Sequence, residues 1–210
     1  MFLLKYDWAK QEKEFYLPPN KPTQVILPPM WFFMLKGKGN PNHEGFTEAV
    51  GVLYSLAYGV KMMPKTGKVP EGYFDYAFYP LEGLWDLDEE ARSFSHLDKN
   101  HLVYTLMIRQ PSFVTEQLAQ EVIERVGKKK PHPLLDQVTF GCLEEGSCLQ
   151  MLHLGPYDDE PASFARMAEF CTANGLTRLC QTHREIYLTD ARRTAPERLK
   201  TVLRYRVAPQ

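Results

Sequence analysis

The sequence has no excess of charge of either sign, since 25 lysine and arginine residues stand against 26 aspartate and glutamate residues. Non-specific binding to nucleic acid requires a basic surface field, so we expect no nucleic-acid partner. No apolar run approaches the roughly 20 residues that span a bilayer, and the N-terminus reaches charged residues too soon for a signal peptide. We therefore expect a cytoplasmic protein with no membrane partner.

Sequence motifs for the common metals and cofactors are also lacking. The four cysteines, Cys142, Cys148, Cys171 and Cys180, include no Cys-x-x-Cys pair of the kind that holds zinc. No phosphate-binding loop, dinucleotide fingerprint or nucleophile elbow is found. We accordingly expect neither a metal nor a cofactor, and we interpret Cys171 as a small apolar residue buried on one face of a helix.

What the chain does have is a hydrophobic content of 44%, enough for a substantial core. Residues 1–22 are predicted to form an N-terminal arm whose aromatic residues pack on the rest of the protein. Residues 23–208 are predicted to form one domain in two halves, about 23–127 and 134–208, separated by Lys128–Pro133. Each half reads as two strands, a helix and two more strands, which favours a pseudo-twofold α+β fold with either two sheets or one continuous antiparallel sheet backed by helices.

Spacing and turn signals define individual elements. Apolar residues three and four positions apart predict an amphipathic helix from Phe46 to about Tyr58, closed by Gly59, and a second helix from Thr115 to Val126. Tyr73–Leu81 is predicted as an aromatic strand, and Glu144–Gly146 as a hairpin turn between two strands. The residues Thr194–Glu197 have the composition of a helix start, which predicts a short helix from about Ala195 to Val202.

One carboxylate falls inside what otherwise reads as a core strand. From His183 to Leu188, the alternation puts Glu185 and Tyr187 on one face of the strand and Arg184, Ile186 and Leu188 on the opposite face. The internal repeat places Glu82 at the equivalent position of the first half. We therefore expect both glutamates to approach the seam between the halves, where a pocket is expected.

Aromatic residues are predicted to surround these glutamates: Phe33, Tyr76, Phe78, Trp85, Tyr104, Tyr157 and Tyr187. A carboxylate among aromatic faces suits a flat, cationic or polarisable ligand. It also suits catalysis, because a glutamic acid with a raised pKa can protonate a leaving group while a second carboxylate orients water. The alternative is structural, with Glu82 ending a strand in solvent and Glu185 paired with an arginine such as Arg192, Arg193 or Arg204.

Two histidines are further candidates for the site. His153 and His183 each lie in a predicted strand without a second histidine or cysteine at ligand spacing, so a metal site is not expected. His183 shares the face of Glu185, and it either orients that carboxylate or makes an ordinary hydrogen bond. Tyr157 is predicted to line the pocket, whereas the acids that follow it, Asp158 to Glu160, are interpreted as caps of a helix that begins near Ala162.

Six segments together resemble the GyrI-like small-molecule-binding family: Leu35–Pro41, Pro80–Trp85, Met107–Pro111, His153–Glu160, His183–Asp190 and Arg193–Glu197. The similarity extends over residues 23–208. It implies two βαββ-type units about a pseudo-twofold axis, related to the effector-binding domains of multidrug-sensing transcription regulators. It also implies an aromatic pocket for hydrophobic, often cationic compounds with a key glutamate, which corresponds to Glu185.

The resemblance leaves three functions open. The first is a stand-alone protein that binds a hydrophobic, aromatic or cationic small molecule. The second is a hydrolase that opens the cyclopropane of DNA-alkylating natural products, as some family members do. Glu82 and Glu185 would then be catalytic, while Trp85 and Tyr157 hold the planar substrate. The third is a sequestering or partner-inhibiting protein without turnover.

Overall fold

The computed structural model describes residues 5–94 and 96–210. Its helices are α1 (Trp8–Gln11), α2 (Lys13–Tyr16), α3 (Glu44–Lys61), α4 (Glu116–Lys129) and α5 (Glu160–Ala173). Its strands are β1 (Thr23–Leu27), β2 (Met30–Lys38), β3 (Leu81–Leu87), β4 (Leu102–Arg109), β5 (Thr139–Leu143), β6 (Gly146–Leu154), β7 (Leu176–Arg178), β8 (His183–Tyr187) and β9 (Lys200–Pro209). Within these described residues, no helix combines the length and the apolar character needed to cross a membrane.

The chain forms two compact units, each assembled from separate segments of the sequence. The first unit contains residues 5–8, 30–81 and 87–143, and the second contains Ala9–Pro29, Glu82–Asp86 and Glu144–Gln210. Within each unit the paired strands are antiparallel and helices pack against them. The predicted α+β class is therefore confirmed, whereas the division into two contiguous halves stays a prediction.

The first unit has the strand order β4-β2-β5, with β2 in the centre. Phe33 of β2 lies opposite Ile108 of β4 on one side and Phe140 of β5 on the other. Helices α3 and α4 pack against each other and against these strands. The helix predicted after Thr115 is confirmed as α4, and the Thr115 hydroxyl caps it by accepting a hydrogen bond from the Leu118 N–H at 3.2 Å.

The second unit has the strand order β1-β6-β9-β8-β3, and β7 pairs with β9. Helix α5 packs on β6 and β7, and Phe164 and Phe170 lie against a core made of Leu149, Met151, Met167, Cys171, Leu176, Leu203, Tyr205 and Val207. Cys171 is thus a buried apolar residue of a helix, as predicted. All four cysteines are free thiols.

The first strand of each sequence half pairs with the second strand of the other half. β1 pairs with β6, and β5 pairs with β2. Pro28 and Pro29 end β1, because proline has no N–H to donate to a strand ladder. The segment Glu144–Gly146, predicted as a hairpin turn, instead connects β5 to a strand with which it does not pair, so that prediction is wrong.

The helix predicted from Ala195 to Val202 is also wrong. Only a 3₁₀ turn, Pro196–Arg198, is present before β9 begins at Lys200. β9 pairs with β6 on one side and β8 on the other, and its residues 201–205 are all buried. Hydrogen bonding along both edges of a central strand stabilises this segment more than a local helix start would. The β-branched residues at the start of β9 also suit a strand.

The segment Tyr73–Leu81 is not the predicted strand, since β3 begins only at Leu81. Its aromatic rings pack against one another and against Phe113, whose ring is perpendicular to that of Phe74 at a centroid distance of 5.4 Å. Backbone pairing is limited to an isolated bridge between Tyr6 and Tyr76. The aromatic residues that suggested a strand therefore form a cluster of packed side chains.

Helix α3 continues past the glycine that was predicted to close it and ends at Lys61. At Gly59 a Cβ atom would stand 3.0 Å from Val122 and 3.1 Å from Val126, both on α4. This glycine permits the two helices to approach closely. The prediction that it ends the helix is wrong because packing, rather than capping, requires a residue without a side chain here.

Candidate functional site

Strand β8 holds Glu185 on a face that it shares with aromatic residues. His183, Glu185 and Tyr187 lie on the same face by alternation, and Glu185 is directly opposite Gly83 of β3. Trp85, two residues further along β3, is opposite His183 and extends the same face. The predicted alternation is confirmed, and Glu185 is only 9% exposed.

A chain of hydrogen bonds fixes the Glu185 carboxylate. The indole Nε1–H of Trp85 donates to the Tyr187 hydroxyl at 2.8 Å, and that hydroxyl donates to Glu185 Oε2 at 2.9 Å. His183 Nε2 lies 3.1 Å from the other oxygen, Oε1. Burial and the charge of Glu185 raise the pKa of Tyr187 well above its ordinary value, so its hydroxyl keeps its proton. The His183 contact agrees with both roles predicted for that residue, so its orienting role stays a prediction.

A second carboxyl group, that of Glu160, lies at this site. The sequence analysis interpreted it as a helix cap. Glu160, the first residue of α5, is only 7% exposed, and its Oε1 is buried without a hydrogen-bond partner in the described structure. Burial, followed by the negative charge of Glu185, raises the pKa of Glu160 to about 10. Glu160 is consequently protonated at neutral pH. We call Glu160 and Glu185 the carboxyl pair.

The acids before α5 were predicted to be helix caps, and Glu160 was counted among them. Asp159 occupies the N-cap position without a side-chain capping hydrogen bond, and the helix starts two residues earlier than predicted. The buried positions of α5 are Glu160, Ser163, Met167 and Cys171. Their spacing of three and four residues is the signal that identifies Glu160, because it puts an acid at the head of a buried helix face.

Aromatic rings lie beside the carboxyl pair. The rings of Tyr157 and Tyr187 are nearly perpendicular, with centroids 6.0 Å apart, and those of Phe164 and His183 have centroids 4.8 Å apart. Tyr157 is 37% exposed, and burial raises the pKa of its hydroxyl to about 12. Trp85, Tyr157, Tyr187 and His183 are thus brought together with Glu185, although their contact with a ligand stays a prediction.

No lysine or arginine among the described residues forms an ion pair with either member of the carboxyl pair. The arginines considered as partners of Glu185 bind elsewhere: Arg192 pairs with Asp190, and Arg204 donates to the side chain of Gln150. A buried, hydrogen-bonded carboxylate beside aromatic rings attracts positive charge. The adjacent protonated carboxyl can give up a proton.

Glu82 does not meet Glu185. It lies opposite Ile186 in the pairing of β3 and β8, which puts it on the other face of the sheet. It is fully buried, and its carboxylate accepts a hydrogen bond from Arg184 Nε at 2.6 Å. Arg184 also pairs with Glu145. Burial raises the pKa of Glu82, and the charge of Arg184 opposes that rise, so the arginine holds the carboxylate in an ion pair.

The contacts of His153 are with other parts of the second unit. It is 4% exposed, with Nδ1 at 2.9 Å from the Ser163 hydroxyl and Nε2 at 3.0 Å from the Pro156 carbonyl. Since the carbonyl can only accept, Nε2 carries the proton and Nδ1 accepts from the serine. Both ring nitrogens are therefore used in joining β6 to the start of α5.

The other four aromatic residues predicted to line the site lie in the first unit: Phe33, Tyr76, Phe78 and Tyr104. Phe33 is fully buried beside Phe140, and Tyr104 packs against Phe46. Phe78 lines a shallow surface pocket of about 400 Å³ with Tyr54, Ser55 and Tyr58. Their predicted role in ligand binding stays a prediction.

Comparison with known proteins was made by family and by structure. The family model for the GyrI-like small molecule binding domain matches residues 20–208. Comparison with curated protein sequences found no match.

Solved structures resemble the chain over nearly its whole length. A hydrolase from Listeria innocua is 37% identical, with a TM-score of 0.88, over 97% of this chain and 100% of its own. An uncharacterized conserved protein from Listeria innocua is 39% identical, with a TM-score of 0.89 over the same shares. The EcmrR C-terminal domain is 12% identical, with a TM-score of 0.54 over 90% of this chain and 98% of its own, and shows a shared fold alone.

Proposed function

The chain belongs to the family of GyrI-like small-molecule-binding domains, and from this premise we propose that its second unit binds a planar, hydrophobic compound that carries positive charge. Glu185 is the principal polar contact in this proposal, and Trp85, Tyr157 and Tyr187 supply the aromatic faces. The proposal extends to the cytoplasmic location predicted from the sequence.

The observation that supports this proposal most directly is the state of Glu185. Its carboxylate is buried to 9% exposure and held by Tyr187 and His183, without a lysine or arginine ion pair among the described residues. A buried negative charge without a lysine or arginine partner is costly, and a bound cation lowers that cost. Aromatic faces attract the same cation through their ring quadrupoles.

A matched pair of ligands tests the proposal. N-methylphenanthridinium and neutral phenanthridine have the same ring system and differ in charge, so comparing their affinities by calorimetry isolates the electrostatic contribution. We expect Glu185→Gln to weaken binding of the cation roughly 10-fold or more, since a hydrogen bond to a charged group contributes about 1.5–3 kcal/mol. Binding of phenanthridine should change much less. Equal losses for both compounds, or no binding of either, would contradict the proposal.

A second candidate function is hydrolysis of a cyclopropane-containing electrophile, favoured by the protonated carboxyl of Glu160 next to Glu185. The protein from Listeria innocua at 37% identity is itself described as a hydrolase. In such a reaction, a water oxygen bonds to the cyclopropane methylene as the carbon–carbon bond breaks. The released electron pair passes into the conjugated carbonyl, whose oxygen takes up a proton.

The carboxyl pair has the groups that this reaction needs. Glu160 would give its proton to the carbonyl oxygen, and Glu185 would take the proton that water loses. A proton passed from Glu185 back to Glu160 would restore the starting state. We assign the second carboxyl to Glu160 rather than to Glu82, because Glu82 is bound to Arg184 on the opposite face of the sheet.

Product analysis distinguishes hydrolysis from binding alone. The protein is incubated with a cyclopropane-containing DNA-alkylating compound, and the ring-opened alcohol is measured by chromatography. Catalytic turnover that is lost in Glu185→Gln, while the compound still binds, supports the hydrolase. Protection of the compound at a 1:1 ratio without product supports sequestration, the third function considered from the sequence.

A further inference from the structure

The connection between β7 and β8 is held by Arg178, the last residue of β7. Its guanidinium donates through Nε to the Cys180 carbonyl at 2.8 Å and through a terminal nitrogen to the Gln181 carbonyl. Two successive carbonyls of the connection thus bind one planar side chain, a geometry that the fork of arginine supplies and the single ammonium of lysine does not. The backbone is therefore fixed just before His183, the first residue of β8.

The same guanidinium lies against two aromatic rings of the second unit. Its central carbon, Cζ, is 4.4 Å from the ring centroid of Tyr205 and 5.8 Å from that of Phe164. These two rings are within 21° of parallel, with centroids 6.4 Å apart. Phe164 in turn packs on the imidazole of His183, at a centroid distance of 4.8 Å and an interplanar angle of 71°. Because a guanidinium is attracted to aromatic faces, Arg178 stabilises Phe164 in the position where it meets His183.

Arg178 therefore reaches His183 by two routes, through the backbone of the connection and through the ring of Phe164. His183 itself contacts the site, since its Nε2 lies 3.1 Å from Glu185 Oε1. The terminal torsion of a histidine side chain has broad energy wells, so packing decides the orientation of the ring. An imidazole that is fixed at its backbone and packed against Phe164 presents Nε2 to the carboxylate.

We propose that Arg178 is a positioning residue for ligand recognition, which orients His183 and, through it, the Glu185 carboxylate that receives the cation. This inference rests on the proposed function. It adds that the preference for a cation over its neutral analogue depends on a residue that acts through His183 rather than on the ligand. Only the charged compound gains from a carboxylate held in the correct direction, so a loss of orientation should reduce the affinity for the cation selectively.

Two substitutions and a control separate this role from a merely structural one. Arg178→Lys keeps the positive charge but loses the paired hydrogen bonds to the two carbonyls, whereas Arg178→Gln loses the charge as well. We expect the calorimetric affinity for N-methylphenanthridinium to fall about 3-fold to 10-fold in Arg178→Lys, which is typical of coupling within one contact network, and at least as far in Arg178→Gln. Binding of phenanthridine should change much less.

Arg166→Gln is the matched control. Arg166 lies on α5 and donates to the side chain and the carbonyl of Asn20, at 3.2 Å and 3.0 Å. It is thus a second arginine of the same unit that binds a backbone carbonyl, and its substitution should leave both affinities unchanged. Because Arg178→Lys retains the charge, a loss of cation binding in that variant measures geometry rather than net charge.

NMR of the unliganded protein reports the orientation of His183 directly. The ring current of Phe164 displaces the resonances of the His183 ring protons, which are assigned by their loss in His183→Asn. This displacement should decrease in Arg178→Lys and stay the same in Arg166→Gln. An unchanged His183 spectrum in Arg178→Lys, or equal losses of affinity for the cation and for phenanthridine, overturns the proposal and leaves the proposed function in place. If the wild type binds neither compound, the proposed function fails, and the positioning role fails with it.

Discussion

Gly83 leaves the space that the indole of Trp85 occupies. A Cβ atom at position 83 would stand 2.5 Å from Trp85 Nε1, the atom that donates to the Tyr187 hydroxyl. Because Trp85 is only 6% exposed, its ring cannot simply swing into solvent. The absence of a side chain opposite Glu185 thus determines where the first donor of the hydrogen-bond chain lies.

Gly83→Ala should therefore disturb the site from the neighbouring strand, β3. We expect a loss of about 1–3 kcal/mol in the free energy of unfolding from overpacking, a changed tryptophan fluorescence spectrum and weaker binding of N-methylphenanthridinium. Gly51→Ala is the control, since a Cβ there meets nothing within 4 Å, and this helix-interior change should be neutral or stabilising. Equal behaviour of the two variants in urea denaturation and ligand titration would show that Trp85 is not held by this contact.

Tyr187→Phe removes a hydroxyl that both accepts and donates a buried hydrogen bond. Trp85 Nε1 would lose its acceptor and Glu185 would lose a donor. Unsatisfied buried groups cost roughly 1–3 kcal/mol, and we expect a destabilisation of that size in urea denaturation. Tyr157→Phe is the matched change, because the described structure gives its hydroxyl no hydrogen bond, and it should leave stability unchanged. A similar loss in both variants would argue against the hydrogen-bond chain.

Glu82→Gln should affect folding more than ligand recognition. The substitution leaves Arg184 and Arg204, both 1% exposed, with Glu145 as the remaining nearby carboxylate. Breaking a buried ion pair costs roughly 3–5 kcal/mol, which we expect to observe as a lower urea midpoint. Arg192→Ala removes the exposed pair with Asp190 and should cost less than about 1 kcal/mol. If Glu82→Gln is as stable as Arg192→Ala, the buried network does not contribute as described.

The raised pKa of Glu160 makes stability depend on pH with a defined sign. Between its ordinary unfolded pKa and about 10 in the folded state, the native protein holds a proton that the unfolded chain has lost. Stability from this group is present at low pH and decreases as the pH rises through that interval. We expect urea denaturation at pH 5.5, 7 and 8.5 to show this decrease in the wild type and a smaller one in Glu160→Gln. Glu169→Gln, an exposed change on the same helix, should behave like the wild type.

The sequence predicted those parts of the fold whose local pattern agrees with their environment. Alternation around Glu185 placed His183 and Tyr187 on its face, since both faces of β8 meet different surroundings. Helix α4 was recognised from its apolar spacing alone, and the Thr115 cap in the structure specifies the same element. Each of these predictions depended on contacts close in sequence.

What could not be predicted depends on contacts distant in sequence. The helix predicted before and after Lys200 does not form, because β9 pairs with both β6 and β8. Glu82 binds Arg184 because the register of β3 and β8 puts both side chains on one face of the sheet. Glu160 was missed for a similar reason. Its role depends on Glu185, which is 25 positions later in the chain, and an acid at a helix start has an adequate local explanation as a cap.

The pairing of β1 with β6 and of β5 with β2 has a consequence for biosynthesis. During translation, β1 leaves the ribosome long before β6, and it stays unpaired with β6 while the intervening residues are synthesised. β9, the strand that joins β6 to β8, is completed only at Pro209. A nascent chain halted after β5 therefore presents an unpaired β1 edge to chaperones, and the sheet around Glu185 closes only once nearly all of the polypeptide has emerged.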